Sequence, residues 1–229
     1  MCGRYVATSP PDVLAEYFEV DEIRAQPERP SWNVAPTDPV PAVAVRRERR
    51  LLGLFRWGLI PSWSTDGSGA ARHINARGET VRDKPSFRTA FARRRCLLPA
   101  DGFYEWERRA DGSRQAWFVK RADGAPLAMA GLWDAWRSGD GELIRTCAVV
   151  TTTANSLMAP IHDRMPVLIS ASDWARWLDP SNNDIAGLAH LLAPADARLL
   201  ERYAVTTRVN SVRNNGPELI ERGGSVEPG

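Results

Sequence analysis

The second residue of the chain is a cysteine, in Met1-Cys2-Gly3-Arg4. A small residue at position 2 is the usual signal for removal of the initiating methionine. Removal would leave Cys2 with an α-amine and a thiol on adjacent carbons. The amine condenses with an aldehyde, and the thiol then closes on the imine to give a thiazolidine ring. An α-amine has a pKa of about 7.7–8.0 against ~10.4 for lysine, so its neutral fraction at pH 7 is roughly a few hundredfold larger. A thiol of pKa about 8.5 is partly thiolate at that pH, and the neighbouring Arg4 is expected to increase that fraction. A second-position cysteine can equally be an accident of coding. The residues able to serve it decide between the two.

The other cysteines, Cys96 and Cys147, lie in apolar segments and are expected to pack as small core residues. No CxxC spacing occurs, and the three histidines are spread along the chain, so neither a disulfide framework nor a metal site is expected. At 229 residues, 43% hydrophobic and 25% charged, the chain has the composition of one globular domain with a sizeable core. No apolar run approaches the ~20 residues of a membrane span. The N-terminus lacks the charged region and apolar core of a secretory signal, which points to the cytoplasm.

The net charge of +2 is small, but its distribution is uneven. Residues 71–100 carry Arg72, Arg77, Arg82, Lys84, Arg88, Arg93, Arg94 and Arg95 against only Glu79 and Asp83, and Arg46, Arg47, Arg49, Arg50 and Arg56 form a second cluster. Clustered arginine is the electrostatic footprint of a phosphate-backbone binder, although a solvated basic surface reads the same way.

These side chains must be carried by the elements around them. Segments 40–46, 51–57, 96–99, 103–106, 115–120, 127–134 and 144–151 are short, rich in β-branched, aromatic or leucine residues, and bounded by Gly, Pro or Asp, which predicts strands. Ser9-Pro10-Pro11-Asp12 predicts a helix start with Ser9 as N-cap, followed by the stripe Val13, Leu14, Tyr17 and Phe18. Further helices are predicted at 171–178, 184–192 and 194–201. Many strands, few helices and no regular βαβ alternation predict a single α+β domain on a mixed, barrel-like sheet over residues 1–222, with 223–229 as a short flexible tail. Trp133, Trp174 and Trp177 are expected in the core.

Four segments concentrate functional groups and turn residues: Trp32-Asn33-Val34-Ala35-Pro36; Trp57-Gly58-Leu59-Ile60-Pro61-Ser62-Trp63, running on to Asn75-Ala76-Arg77-Gly78-Glu79-Thr80; Leu98-Pro99-Ala100-Asp101-Gly102-Phe103-Tyr104-Glu105-Trp106; and Thr151-Thr152-Thr153-Ala154-Asn155, leading to Ile161-His162-Asp163-Arg164-Met165-Pro166. With Met1-Cys2-Gly3-Arg4 ahead of them, in this order, they resemble the SRAP (SOS-response-associated peptidase) family from residue 2 to about residue 220. The resemblance implies a DNA-damage protein that senses abasic sites in single-stranded DNA and crosslinks the ring-opened sugar aldehyde to Cys2 as a thiazolidine. Its partner is then single-stranded DNA, with junctions to duplex as a further candidate, on the nucleoid; no cofactor and no membrane are expected, and a monomer is the simplest expectation. Removal of Met1 by self-processing and weak β-elimination lyase activity belong to the same expectation.

The resemblance also assigns roles. Asn75 matches an active-site asparagine that positions the cysteine or the sugar; in isolation it reads as a turn residue. Arg77 matches a phosphate-binding arginine, the alternative being an ion pair with Glu79. Glu105, between Tyr104 and Trp106 on a hydrophobic strand, is expected to have a raised pKa and to shuttle protons, or else to pair with a buried arginine. His162 suits acid–base work in opening the deoxyribose ring, since imidazole titrates near pH 6.5 in model compounds. DNA contact is expected from Arg4, Asn33, Trp63, Arg88 and Thr151. Some relatives carry a second aromatic directly after the tryptophan that matches Trp63, where this chain has Ser64. Two other classes remain: an N-terminal-nucleophile cysteine amidohydrolase acting on a small amide, and a non-enzymatic module that binds single strands without a covalent step.

Overall fold

Period-two alternation of apolar residues decides most of the strands. The computed structural model describes residues 2–223, so Met1 and all but the first residue of the tail expected at 223–229 lie outside the described residues. In chain order the strands are β1 (Tyr5–Ala7), β2 (Glu22–Ile23), β3 (Ser31–Val34), β4 (Pro39–Arg46), β5 (Arg49–Trp57), β6 (Asn75–Arg77), β7 (Arg95–Ala100), β8 (Gly102–Arg108), β9 (Arg114–Arg121), β10 (Leu127–Arg137), β11 (Leu143–Thr153), β12 (Arg164–Pro166) and β13 (Leu200–Ala204). The helices are short: α1 (Pro11–Tyr17), α2 (Arg88–Arg93), α3 (Trp174–Leu178) and α4 (Ile185–His190).

Strands β5, β4, β7, β10 and β11 pair antiparallel in that order, and β11 returns to β5 in parallel. The ring therefore closes into a mixed barrel, which leaves no free edge on these five strands. A second, five-stranded antiparallel sheet runs in the order β13-β9-β8-β1-β3. The α+β, barrel-like reading of the sequence holds.

Alternation then sorts the core into layers. Inward residues such as Ala42, Phe55, Leu98, Met129, Cys147 and Val149 pack with Tyr5, Phe103 and Val119 from the second sheet. Outward residues of the same barrel strands, among them Val43, Leu97, Ala130 and Val150, pack under the helices with Leu14, Phe91, Trp177 and Leu188. The opposite face of the second sheet, with Val6, Tyr104 and Phe118, is covered by Val205, Val209 and Leu219. Cys96 and Cys147 are both fully buried.

Two glycines are required by close approach. At Gly102 a Cβ would lie 2.3 Å from the Phe118 ring, and this glycine lets β1 pair with β8 at Val6. Gly58 has φ 134°, and a Cβ there would lie 2.7 Å from the Ala70 carbonyl. Its N–H donates to the Cys147 carbonyl at 2.8 Å. From that point the chain leaves the barrel and returns at β6 to the same edge of β11 that β5 has just left.

Two local expectations are corrected. Ser9 is not the cap of α1: the N-cap is Pro10, with no side-chain cap bond, and the Ser9 hydroxyl and N–H donate to Asp101. The helix predicted at 194–201 is a 3-10 turn, Ala197–Leu199, followed by β13. Pairing of β13 with β9 over five residues supplies the backbone bonds that override the helix propensity of that segment.

Candidate active site

Cys2 lies in the barrel interior, fully buried. β6 pairs with β11 so that Asn75 faces Val149 and points inward, while Ala76 joins the helix-covered layer. Asn75 Nδ2 donates to the Cys2 carbonyl at 2.8 Å. Its Oδ1 is buried and has no partner among the described residues. The amide thus fixes the backbone of Cys2 with one end and leaves an acceptor for an incoming group at the other. Asn75→Ala is expected to slow reaction at Cys2 by about tenfold or more, the equivalent of one lost buried hydrogen bond of about 1–3 kcal/mol, without loss of thermal stability on the same scale. A rate within twofold of the parent would remove Asn75 from the site.

Glu105 reaches the same interior by alternation on β8: Phe103 and Glu105 face inward and Tyr104 faces the outer layer. It is 2% exposed. Burial raises its carboxyl above the ordinary range, and the charge of His162 partly opposes that. Burial, followed by the Glu105 charge, also pushes the Cys2 thiol far above its usual value. The expected activation of the thiol by Arg4 is therefore corrected. The Arg4 guanidinium donates to Asn33 Oδ1 at 2.8 Å and to the Val209 carbonyl at 3.1 Å, and what Arg4 gives the thiolate comes from its backbone N–H, not its side chain. Glu107, two residues on, is held by Trp117 Nε1 at 2.9 Å.

His162 stands at the end of a loop shaped by Asn155, whose side chain accepts from the Met158 N–H and donates to the Ala195 carbonyl. The Met158 carbonyl in turn accepts from the His162 N–H at 3.0 Å. His162 Nδ1 accepts from the Arg164 N–H at 3.0 Å and lies 2.8 Å from Asp163 Oδ1. The first contact suits the neutral ring with its proton on Nε2, the second the imidazolium. A cavity of about 370 Å³ is lined by Glu105, Trp106, Arg108, Arg114, Ile161 and His162. It shares Trp106 and Arg114 with a neighbour of about 420 Å³ that reaches Arg4 and Asn210.

Sequence reasoning gave Arg164 no role, yet it ties the site together. Its guanidinium forms a two-pronged pair with Glu79, at 2.6 and 2.9 Å, and donates to the Thr151 carbonyl at 2.7 Å. This pair holds the Glu79 carboxyl below the usual range. The close partner of Glu79 is thus Arg164 and not Arg77, which is exposed, forms no ion pair among the described residues and acts on Glu79 only as a weaker, longer-range charge.

The expected DNA contacts divide. Arg77 and Trp63 are exposed, Trp63 at 66%. The Ser64 carbonyl accepts from Trp136 Nε1 at 2.8 Å and its hydroxyl turns back to Asp66. Asn33 and Thr151 are corrected to interior positions. Asn33 Nδ2 is used by the carbonyls of Val209, Ser211 and Asn214, which makes it a clamp on the 3-10 turn Thr207–Asn210 and a support for Arg4. Thr151 is fully buried with its carbonyl and hydroxyl on Arg164; of the Thr151–Thr153 run only Thr153 is exposed. Arg88 begins α2, whose Phe91 packs on the outward side of the barrel wall, the face opposite Cys2. Arg88 itself is exposed on that helix-covered side.

The family model for SOS response associated peptidase (SRAP) matches residues 1–212. The chain belongs to the SRAP family. SRAP relatives include the abasic site processing protein YoqW of Bacillus subtilis, 41% identical over 96% of this chain and 99% of that protein, and the abasic site processing protein HMCES of Xenopus tropicalis, 29% identical over 96% of this chain and 78% of that protein. Among solved structures, a protein from Bacteroides thetaiotaomicron superposes with a TM-score of 0.83 at 25% identity, over 97% of this chain and 100% of that one. No helix among the described residues is long and apolar enough to cross a membrane, and none of their side chains cluster as a metal site.

Proposed function

We propose that this SRAP protein processes abasic sites in single-stranded DNA and that, once Met1 is removed, Cys2 captures the sugar as a thiazolidine. The observation that carries the reading is the convergence of Asn75 and Glu105 on a buried Cys2, with His162 across the cavity from Glu105. Relatives named for abasic site processing across nearly the whole chain support the substrate.

The chemistry follows from the protonation states. The closed sugar has no free aldehyde, so His162 takes the proton of the anomeric hydroxyl and returns one to the ring oxygen. The α-amine of Cys2 adds to the aldehyde, and loss of one water gives the imine. The thiol enters as S–H, because burial disfavours the thiolate. Glu105 accepts that proton as sulfur bonds to the imine carbon, and delivers it to nitrogen as the ring closes. A carboxyl with a raised pKa suits both transfers. The imine also permits β-elimination, which gives a weak lyase activity, and release of Met1 by self-processing accounts for the peptidase in the family's name. The protein acts as a monomer on the nucleoid, on single strands and at their junctions with duplex. A cysteine amidohydrolase is disfavoured, since the clustered arginines suit a polyanion and offer nothing to a neutral amide.

Incubation with an oligonucleotide carrying one abasic site, followed by denaturing electrophoresis without borohydride, is expected to show a shifted band that Cys2→Ala abolishes. Equal bands from both proteins, or none from a parent shown by mass to lack Met1, overturn the proposal.

A further inference from the structure

On the β8–β9 hairpin, Arg108 and Arg114 stand directly opposite each other in register. Like charges in this position repel and destabilise the pair unless something neutralises them. Both side chains are exposed, and neither meets a carboxylate in an ion pair among the described residues. Glu105 alternates onto the other face of β8 from Arg108, and two further nearby acids are engaged elsewhere. Asp111 accepts from the Ser113 N–H and hydroxyl at 2.9 and 2.6 Å, and Glu107 accepts from Trp117. Elsewhere the sheets avoid this situation. Arg46 and Arg49 also face each other, but Arg49 lies 3.1 Å from Glu22. Lys120 faces Glu201 at 3.1 Å.

The uncompensated pair is also well placed. Both arginines line the cavity that holds Glu105 and His162, and Arg114 continues into the cavity that holds Arg4 and Asn210. A doubly cationic rim around a buried carboxylate and a histidine fits an anion with several oxygens. Two guanidinium forks suit a phosphodiester, which offers them two non-bridging oxygens.

We propose that Arg108 and Arg114 together grip one phosphodiester of the DNA strand flanking the abasic sugar, so that the strand enters the site across the β8–β9 hairpin. The inference rests on the abasic-site reading and adds the path of the strand to it.

The test uses an oligonucleotide with a single tetrahydrofuran abasic analogue, which has no aldehyde and so reports binding alone. Arg108→Ala/Arg114→Ala is expected to bind about tenfold more weakly at low salt, with a slope of log K against log salt shallower by about 0.7, one phosphate's share on a single strand. Arg145→Ala/Arg176→Ala, which removes two exposed charges on other elements, β11 and α3, controls for net charge. Methylphosphonates placed one at a time around the lesion then locate the contact. One position should weaken the parent and leave the double variant unchanged. An equal effect from the control variant, or no position that discriminates parent from variant, overturns the proposal. The parent's preference for the lesion-bearing over the intact oligonucleotide, read in the same titrations, reports separately on the abasic-site reading.

Discussion

Glu105→Gln is expected to slow covalent capture by about 10²–10⁴-fold, the usual worth of a positioned acid–base group. The amide keeps the shape of the side chain and cannot move a proton. In the proposed route ring closure needs the carboxylate, so the parent's rate should fall as the pH drops through the raised pKa of Glu105. The variant should lose that limb of the profile. Stability should move the other way. Burial raises the carboxyl in the folded state, so folding favours the protonated form, and the stability this contributes is present at low pH and lost as the pH rises through the folded value. The glutamine variant should therefore melt higher than the parent at neutral pH and show no such advantage at pH 4. Slow capture together with a raised melting temperature identifies a carboxylate kept for chemistry at a cost in stability. Slow capture with a lowered melting temperature would mean that Glu105 is structural.

Arg95→Met should destabilise the fold by about 3 kcal/mol or more, because burying a carbonyl without its partner costs about 1–3 kcal/mol and several lose theirs at once. Arg95 is 2% exposed. It donates to the carbonyls of Phe91 and Ala92 at the end of α2, of Trp177 near the end of α3, and of Asp179 just beyond it. A cation at two helix C-termini also meets the negative ends of both dipoles. Burial lowers its pKa to about 10, which still leaves it charged at neutral pH. For a chain of this size the melting temperature should fall by roughly 6–12 °C. These contacts lie on the helix-covered side of the barrel wall, away from Cys2. Capture by the folded variant at low temperature should match the parent, and a loss under 1 kcal/mol would show that the carbonyls find other donors.

The barrel was legible in the sequence because its strands are half-buried on each face and alternate accordingly, as Leu127 to Trp133 do. β13 was not. Leu-Glu-Arg-Tyr-Ala carries its charges inside a strand, where Glu201 meets Lys120 and Arg202 lies over the Trp117 ring, contacts made only after β9 has paired with it. The grouping of Cys2 with Asn75 and Glu105, and of Glu105 with His162 around one cavity, followed the types and motifs of the sequence. Asn33 and Thr151 misled, because their motifs do not show that Val209 and Arg164 consume their polar groups. Arg108 and Arg114 were invisible, since their opposition exists only once the hairpin register is known.

In the proposed thiazolidine, nitrogen and sulfur of Cys2 both bond the sugar. Intact-mass analysis of the adduct, with alkylation of the unfolded protein, shows whether both atoms are engaged. The expected mass equals the chain without Met1 plus the oligonucleotide less one water, with Cys96 and Cys147 alkylated and Cys2 protected. An adduct that retains Met1, or one whose Cys2 thiol is freely alkylated, would contradict the thiazolidine.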